Sequence, residues 1–485
     1  MTGAETPAGA SFYGTIRWKA INRKKVTKAV KRLRMRIAKA VREGKYGKAK
    51  ALQRILTHSY YAKLPAIRKV TSDKGKKTPG IDGVTWTSCR RKAKAVRQLN
   101  RKGCKPLPLR RIYIPKKNGR KRPLSIPTMK DRAMQALHKP ALEPVAETKA
   151  DPNSYGFRQF RRCADAIAQA FICLSKKYSP CRILEGDIKA CFDEISHRRL
   201  PENIPMDKKI LSSWLKAGYV REGKLCPNRK GTPQGGIISP VIANMTSDGL
   251  EKAAKAAAPR RISGNTRSKI NVIRYADDFI ITCVSEDILQ NKVKPAIESF
   301  LSERGLELSQ EKTKITRTDQ GFDFPGQNCR KYNGKMLITP AKDNVRAFKE
   351  NISAAVKKGQ ALPAETLISI LNPKLRGWAN CHRHIVSGRI FGKADNCIYK
   401  QLWNRMRKKH PKKRKSRPVK KYRSDSSEMR TFSSVENKDG KSRCYQLIRT
   451  GSIGIRRHIK IKAEANPFDL KFAEYFRKRK SGCAP

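Results

Sequence analysis

Acidic residues are scarce in this chain of 485 residues. Asp and Glu together number 39 against 110 Lys and Arg, which gives a formal net charge of +71. Because so much positive charge repels itself, the composition indicates a polyanionic partner. Nucleic acid is the first candidate, since binding of phosphates by Lys and Arg releases condensed counterions. An anionic membrane surface is the weaker alternative.

Other absences narrow the class of protein further. No run approaches the roughly 20 apolar residues of a membrane span, and the start MTGAETPAGASFYG lacks the basic and apolar regions of a signal peptide. The 13 cysteines stand singly, without a C-x-x-C pair, so neither a zinc ribbon nor a disulfide framework is indicated. We expect a folded, soluble, intracellular protein with reduced thiols. For Cys381, His382 and His384 we expect packing or RNA contact rather than a metal site.

A basic amphipathic helix is predicted near the amino terminus. Between Arg17 and Lys50 there are 15 Lys or Arg and a single acidic residue. Apolar residues recur there at spacings of three and four, which is typical of a helix with one buried face. A charged face bathed only by solvent is the alternative, but the charge density favours contact with nucleic acid. The apolar positions are Val26, Val30, Leu33, Ile37 and Val41.

Residues 110–127, RRIYIPKKNGRKRPLSIP, have the pattern of a β-hairpin with a basic tip. Such a tip can close over a phosphate group. Lys116 and Arg122 would then reach a triphosphate, because Lys and Arg bind phosphoryl oxygens through charge-assisted hydrogen bonds.

Two adjacent aspartates interrupt the apolar segment VIRYADDFIIT. Residues 272–275 and 279–282 can pair as antiparallel strands with Ala276, Asp277 and Asp278 at a tight turn. An isolated pair of aspartates usually does no more than form the turn. Here, however, another short apolar strand, residues 183–188, carries a further acid near its end.

That further acid is Asp187 in the segment CRILEGDIKACFDEI. Side chains alternate along a strand, so Glu185 and Asp187 project to one face, and we expect Asp187 to meet Asp277 across a sheet. Carboxylates that converge repel one another, and divalent cations relieve that repulsion. In a strongly basic chain this predicts phosphoryl transfer with two Mg²⁺ ions, for which Mn²⁺ could substitute. Gln234 in GTPQGG would lie on a backbone that glycines leave open to a nucleotide.

The ordered motifs resemble those of the reverse transcriptases encoded by bacterial and organellar group II introns. The resemblance covers residues 55–330 and extends to an amino-terminal extension before them and a thumb-like maturase domain after them. The motifs are TPGIDGVT, RRIYIPKKNGRKRPLSIPT, SYGFR, GDIKACFDEISH, GTPQGGIISPVIANM, YADDF and LSQEKTKI.

The resemblance implies an α+β fold of the right-hand polymerase type. Fingers and a palm with an antiparallel sheet precede an α-helical thumb, or maturase domain, and a small basic carboxy-terminal region. We predict the boundaries as 1–54 for the basic helical extension, 55–330 for fingers and palm, 331–425 for the thumb, and 426–485 for the carboxy-terminal region.

The resemblance also assigns site residues. It implies catalytic metal ligation by Asp187, Asp277 and Asp278, with the main chain at Ile188. It places Phe192 under the sugar, where the ring rejects a 2′-hydroxyl, although Phe192 could equally be a core residue of the next helix. For Lys312 a plain surface role is the alternative. The predicted contacts to the incoming dNTP are Lys116, Arg122, Phe192, Gln234 and Lys312.

The implied function is RNA-directed DNA synthesis together with assistance to intron splicing and retrohoming. The implied partners are group II intron RNA, a DNA target and primer, and dNTPs, with no membrane and no evident protein partner. A cytoplasmic bacterial protein is expected, and an organellar one is the alternative. A splicing cofactor that does not polymerise is disfavoured by the intact triad of aspartates. A relative recruited to phage defence is disfavoured by the recognisable thumb.

The sequence departs from the family pattern at several positions, and each departure predicts a local structural or functional difference. Gln159 replaces the usual Pro and Ala150 an aromatic residue, which affects local packing in the fingers. Pro325 stands where an aliphatic residue is usual, and Pro lacks the N–H that a strand needs. No His/Asn endonuclease module follows residue 480, so we expect no cleavage of the second DNA strand.

Overall fold

The computed structural model describes residues 18–101, 103–115, 119, 121–263, 266–411, 422, 431–438 and 441–481. Within them, no helix is long and apolar enough to span a bilayer. The helices are α1 (Arg23–Arg42), α2 (Tyr46–His58), α3 (Tyr60–Ser72), α4 (Cys89–Gln98), α5 (Met129–Lys149), α6 (Cys163–Leu174), α7 (Cys191–Glu194), α8 (Leu200–Asn203), α9 (Lys208–Leu215), α10 (Ser239–Ser247), α11 (Leu250–Ala257), α12 (Lys294–Ser302), α13 (Lys342–Lys358), α14 (Ala364–His382), α15 (Gly388–Lys409) and α16 (Ala473–Ser481).

The strands form several separate sheets. They are β1 (Leu109–Pro115), β2 (Lys121–Ile126), β3 (Arg182–Lys189), β4 (Tyr219–Arg221), β5 (Lys224–Cys226), β6 (Arg261–Ser263), β7 (Thr266–Arg267), β8 (Asn271–Tyr275), β9 (Asp278–Cys283), β10 (Glu307–Leu308), β11 (Lys314–Arg317), β12 (Phe322–Phe324), β13 (Gln327–Tyr332), β14 (Lys335–Pro340), β15 (Ser433–Lys438) and β16 (Lys441–Gln446).

The fingers sheet has the order β2-β1-β4-β5. The predicted hairpin is confirmed, because β1 and β2 pair antiparallel from Arg110 opposite Ile126 to Pro115 opposite Lys121. Lys116, at the tip, lies outside the described residues.

The amino-terminal basic segment forms two helices rather than the single one predicted. Helix α1 ends at Arg42, and the chain turns at Gly44, whose φ of 68° is a left-handed conformation that glycine adopts without strain. The predicted apolar face is nevertheless the buried one, with Val26, Ile37 and Val41 in the core. The basic face of α1 is therefore the outer face.

The palm sheet has the order β10-β3-β9-β8, and β11 also pairs with β3; every pairing is antiparallel. Its strands are apolar on both faces because both faces are covered. Leu184 and Ile281 belong to a large core with α5 and α10, whereas Ile183 and Ile280 belong to a second core with α6. The central strands thus hold the polymerase-like part of the chain together from both sides.

Helices α13, α14 and α15 lie within residues 331–425, where an α-helical domain is predicted. They enclose a core of their own, which includes Ile352, Leu371 and Leu402. His382 packs there as expected, with its ring 5.2 Å from that of Trp378. In the described residues, no group of three or more His, Cys, Asp and Glu could hold a metal ion at this place or elsewhere.

Residues 447–481, here called the return segment, lead from the β15–β16 hairpin back to the palm sheet. Ile461 and Phe472 enter the second core of the palm sheet. Asp165 of α6 accepts hydrogen bonds from the Ile461 main chain at 2.8 Å and from Arg479 Nη2 at 2.7 Å. The boundary at residue 426 remains a prediction, but this part of the carboxy-terminal region shares its core with the palm.

The expected disturbance at Pro325 does not occur. Strand β12 ends at Phe324, so Pro325 lies in the turn before β13, where a missing N–H costs no ladder hydrogen bond. Gly326 follows with a φ of 78°. At the other departures, Ala150 ends α5 and Gln159 Nε2 donates to Glu143 at 3.2 Å.

Acid should destabilise this fold through two buried histidines. Burial lowers the pKa of His138 and of His382 to about 4, whereas an unfolded chain titrates near 6.5. The unfolded state therefore takes up protons first, and stability should fall as the pH drops from about 6.5 towards 4, by up to about 3 kcal/mol per histidine.

Thermal unfolding between pH 7 and pH 5 measures this loss. His138→Phe should flatten the dependence of the melting temperature on pH. The same substitution at the exposed His58 is the control and should leave it unchanged. A parent whose melting temperature is constant across this range would contradict the assignment.

Candidate active site

The turn between β8 and β9 carries the adjacent aspartates. It is tighter than predicted, because Ala276 and Asp277 form the turn and Asp278 already begins β9. Ala276 has a φ of 61°, a left-handed conformation that closes such a two-residue turn. The main-chain N–H of Ile188 donates to the Asp277 carbonyl at 3.1 Å and fixes the turn against β3.

The register of the palm sheet pairs Asp187 with Asp278. The prediction that Asp187 lies opposite Asp277 was wrong by one residue, because Asp278 belongs to the strand and Asp277 to the turn. All three acids are still brought together at one end of the sheet. Glu185 is not, since its carboxylate accepts from Thr316 Oγ1 at 2.5 Å and pairs with Lys314.

Two of the three carboxylates, Asp277 and Asp278, have raised pKa values. Burial, a hydrogen bond with Asp187 and the charge of Asp277 raise the pKa of Asp278 to about 7. Burial, followed by the charge of Asp187, also raises the pKa of Asp277. Asp278 nonetheless keeps an open side towards solvent. The site therefore concentrates negative potential where a ligand can enter.

Lys312 lies at this cluster, as predicted from its motif. Its Nζ donates to Asp187 Oδ2 at 2.8 Å while the side chain remains 65% exposed. The ion pair offsets part of the repulsion among the carboxylates. Lys312 is thus a surface residue and a neighbour of the acids at once; its contact to a nucleotide remains a prediction.

The donor types at the cluster fit a hard divalent cation. Carboxylate oxygens are the ligands that Mg²⁺ prefers, and the raised pKa values of Asp277 and Asp278 indicate a position that a positive charge would stabilise. Among the described residues, however, no group of three or more His, Cys, Asp or Glu side chains is already arranged so that it could hold a metal ion. Ile188 is buried and apolar, so it could offer only its main-chain carbonyl.

The fingers reach this cluster through Arg122. This residue of β2 lies near enough to Asp277 for its charge to oppose the rise in the pKa of that carboxyl. The next contact joins the hairpin to the loop before α10, since the Ser125 N–H donates to the Gln234 carbonyl at 2.8 Å. The Gln234 side chain donates to Asp193 Oδ2 at 2.6 Å, a partner that the sequence did not suggest.

Phe192 lies in the short helix α7, five residues after Asp187. Its ring is half-buried and packs on one side against the larger palm core. The alternative that Phe192 is a core residue therefore applies to that side of the ring. Another side faces Phe157, with ring centroids 6.2 Å apart and an interplanar angle of 77°. Phe157 and Asp193 were not predicted as site residues. The only signal for Phe157 was its place in the motif SYGFR.

Three family models match the chain. The model for "Reverse transcriptase (RNA-dependent DNA polymerase)" matches residues 114–329, that for the "N-terminal domain of reverse transcriptase" residues 18–99, and that for the "Group II intron, maturase-specific domain" residues 345–423. Protein YkfC of Escherichia coli (strain K12) is 30% identical over 337 residues, which cover 60% of this chain and 88% of that protein. The chain belongs to the group II intron reverse transcriptases and maturases.

Other members of the family are similar over more of the chain. Group II intron-encoded protein LtrA of Lactococcus lactis subsp. cremoris is 28% identical over 407 residues, 65% of this chain and 67% of that protein. An uncharacterized 91 kDa protein in the cob intron of Schizosaccharomyces pombe is 27% identical over 402 residues, 66% of this chain and 49% of that protein. Reverse transcriptase domains generally depend on divalent metal ions, and the three carboxylates lie within the segment that matches this domain.

Gly156→Ala should distort the aspartate turn. A Cβ at Gly156 would lie 2.3 Å from the main-chain nitrogen of Ala276, where only a backbone shift can relieve the clash. We expect destabilisation of about 1–3 kcal/mol. Gly392→Ala in α15 is the control, because a Cβ there meets open space. Chemical denaturation measures both, and equal stability of Gly156→Ala and the parent would contradict the close approach.

Cation affinity should rise with pH. A divalent cation binds ionised carboxylates, and the pKa of Asp278 is raised to about 7, so binding below that pH must displace a proton. We expect the apparent affinity for Mn²⁺, measured by electron paramagnetic resonance, to increase from pH 6 to pH 8. Asp278→Asn should weaken binding and reduce this slope. If the affinity of Asp278→Asn for Mn²⁺ rose with pH as steeply as that of the parent, Asp278 would not belong to the cation site.

Proposed function

We propose that this protein is an active RNA-directed DNA polymerase that also binds intron RNA and assists its splicing and retrohoming. The observation that carries the proposal is the pairing of Asp187 with Asp278 beside the turn that carries Asp277. This arrangement lies within the segment that matches the reverse transcriptase model. The proposal uses Mg²⁺ at Asp187, Asp277 and Asp278.

The reaction joins the 3′-oxygen of a primer to the α-phosphorus of a dNTP and releases pyrophosphate. When bound, Mg²⁺ favours ionisation of the 3′-hydroxyl and stabilises the charge that develops on pyrophosphate. The carboxylates hold the site at one end of the palm sheet. Arg122 of the β1–β2 hairpin would bind the triphosphate, which its nearness to Asp277 supports, and Lys312 adds a second positive charge beside Asp187.

The sugar of the incoming nucleotide would lie over Phe192. Phe192 lies five residues after Asp187, in the short helix α7. Its main-chain oxygen accepts a hydrogen bond from the Thr232 N–H at 2.6 Å. That bond fixes α7 to the loop containing Gln234. A ring held there would clash with a 2′-hydroxyl, so the enzyme would select deoxyribonucleotides.

RNA binding is supported by two basic surfaces. The outer face of α1 exposes Lys28, Lys31, Arg32 and Arg36. A cavity of about 1480 Å³ at the far end of the palm sheet has seven Lys or Arg among its lining residues, together with the exposed ring of Tyr178. Cationic grooves with an aromatic ring suit phosphates and a stacked base. The basic lining includes Lys252, Lys255, Arg260, Arg261, Arg267 and Lys269.

A splicing cofactor without polymerase activity is the second candidate. The ion pair between Lys312 and Asp187 favours it, because an ammonium group there occupies an oxygen that a metal ion would need. The exposed Lys312 side chain can rotate away, which favours the polymerase. A role in phage defence has less support, since the thumb helices α13 to α15 fall within the maturase-specific match.

Primer extension decides between the first two candidates. The assay uses an RNA template, a DNA primer, Mg²⁺ and four dNTPs, at protein concentrations that give equal RNA occupancy. Asp277→Ala should reduce extension by more than about a thousandfold, because the carboxylate is needed to hold the charge-stabilising ion. Asp319→Ala, which removes an exposed acid paired with Arg317, is the control. No extension by the parent despite tight RNA binding would favour the cofactor.

Charge reversal in the basic cavity tests the RNA surface. We expect Arg261→Glu combined with Arg267→Glu to weaken intron RNA binding at least about tenfold in 0.1 M salt, with a smaller salt slope than the parent. Extension on a short generic template should stay within a factor of about two, since these residues lie far from the acids along the palm sheet. Unchanged RNA affinity would exclude the cavity from the interface.

A further inference from the structure

Phe157 stands out among the residues around the acids. Its φ is 58°, in the left-handed region that a bulky side chain adopts only under strain, and its side chain is 56% exposed. A phenylalanine that is both strained and exposed gains little from burial in this position. Its one aromatic neighbour among the described residues is Phe192.

The backbone on the amino-terminal side of Phe157 is fixed to the aspartate turn. The Tyr155 N–H donates to the Arg274 carbonyl at 2.8 Å, so this segment runs along β8. Gly156 then packs directly on the backbone of Ala276, and its carbonyl accepts from Asn244 Nδ2 at 2.7 Å. Phe157 therefore directly follows the residue, Gly156, whose backbone contacts the aspartate turn.

The residue on the carboxy-terminal side is fixed as firmly. Arg158 donates from Nε and Nη2 to the Glu147 carboxylate at 2.8 and 2.6 Å. Its Nη1 donates to the carbonyls of Asp151 and Ser154 at 2.7 and 2.8 Å. With both neighbours held, the strained φ of Phe157 sets the direction of its ring.

We propose that Phe157 is a positioning residue for nucleotide selection. Its ring holds the Phe192 ring edge to face, at 6.2 Å and 77°, so that Phe192 keeps the orientation that rejects a 2′-hydroxyl. The other face of Phe192 rests on the palm core, which leaves Phe157 to restrain it from the open side. This inference rests on the proposed polymerase function and extends it to a residue outside the nucleotide contacts.

The chain offers a matched control three residues further on. Phe160 has a φ of 61° and is 52% exposed, so it shares the strain and the exposure of Phe157. Its ring lies instead against Phe476 of α16, with centroids 5.0 Å apart. Effects of strain or of lost apolar surface should appear equally at both positions, whereas an effect through Phe192 should appear only at Phe157.

The experiment compares kcat/KM for a dNTP with that for the matching rNTP on one primer and RNA template. Phe157→Ala should lower this ratio about three- to tenfold, with kcat for the dNTP within about twofold of the parent, as expected from loss of one aromatic pair. Phe160→Ala should leave the ratio unchanged. Phe157→Tyr keeps the ring and should restore it. Melting temperatures of all variants check that they fold.

A double-mutant cycle with Phe192→Val separates positioning from a direct contact. Once Phe192 is gone, adding Phe157→Ala should lower the ratio no further. A further loss of the same size, a ratio in Phe157→Ala equal to that of the parent, or an equal loss in Phe160→Ala would each overturn the proposal. A parent that extends no primer would overturn the proposed polymerase function, and this inference with it.

Discussion

The repulsion among Asp187, Asp277 and Asp278 is the constraint on which the rest of this structure depends. Bringing carboxylates together in a half-buried site costs free energy, and the raised pKa of Asp278, about 7, reflects that cost. Two apolar cores on opposite faces of the palm sheet offset it. Because β3 and β9 are held from both sides, their register cannot slip to separate the acids.

Positive charge enters this site from two directions. Lys312 approaches from the segment before β11 and Arg122 from the fingers hairpin. A strongly basic protein thus surrounds a small acidic centre. The same charge that attracts a nucleic acid backbone over long distances also opposes the rise in the pKa of Asp277 and Asp278.

Much of this arrangement could be predicted from the sequence. Alternation and apolar spacing locate α1, the β1–β2 hairpin, β3 and the aspartate turn, and the ordered motifs associate them with one site. The sequence misplaced the register by one residue, because periodicity does not say whether Asp278 closes a turn or opens a strand. It also joined α1 to α2, since the run of Lys and Arg continues across Gly44 to Lys50.

Contacts between distant segments could not be predicted from the sequence. Nothing in the local pattern pairs Gln234 with Asp193 or sets Phe157 against Phe192, because such contacts arise from tertiary packing. The packing of the residues after 447 against the palm sheet could not be predicted for the same reason. Their basic composition indicates a nucleic acid surface, whereas Ile461 and Phe472 in fact complete the palm.

The hydrogen bond from Arg479 to Asp165 spans 314 residues of chain. Contacts so distant in sequence form late, because the intervening chain must be synthesised and ordered first. On the ribosome, the three aspartates emerge well before the return segment, which adds Ile461 and Phe472 to the core on the second face of their sheet. The nascent protein therefore passes through a stage in which the three aspartates are present but the core on the second face of their sheet still lacks Ile461 and Phe472. Completion of this core is thereby coupled to translation of residues 447–481.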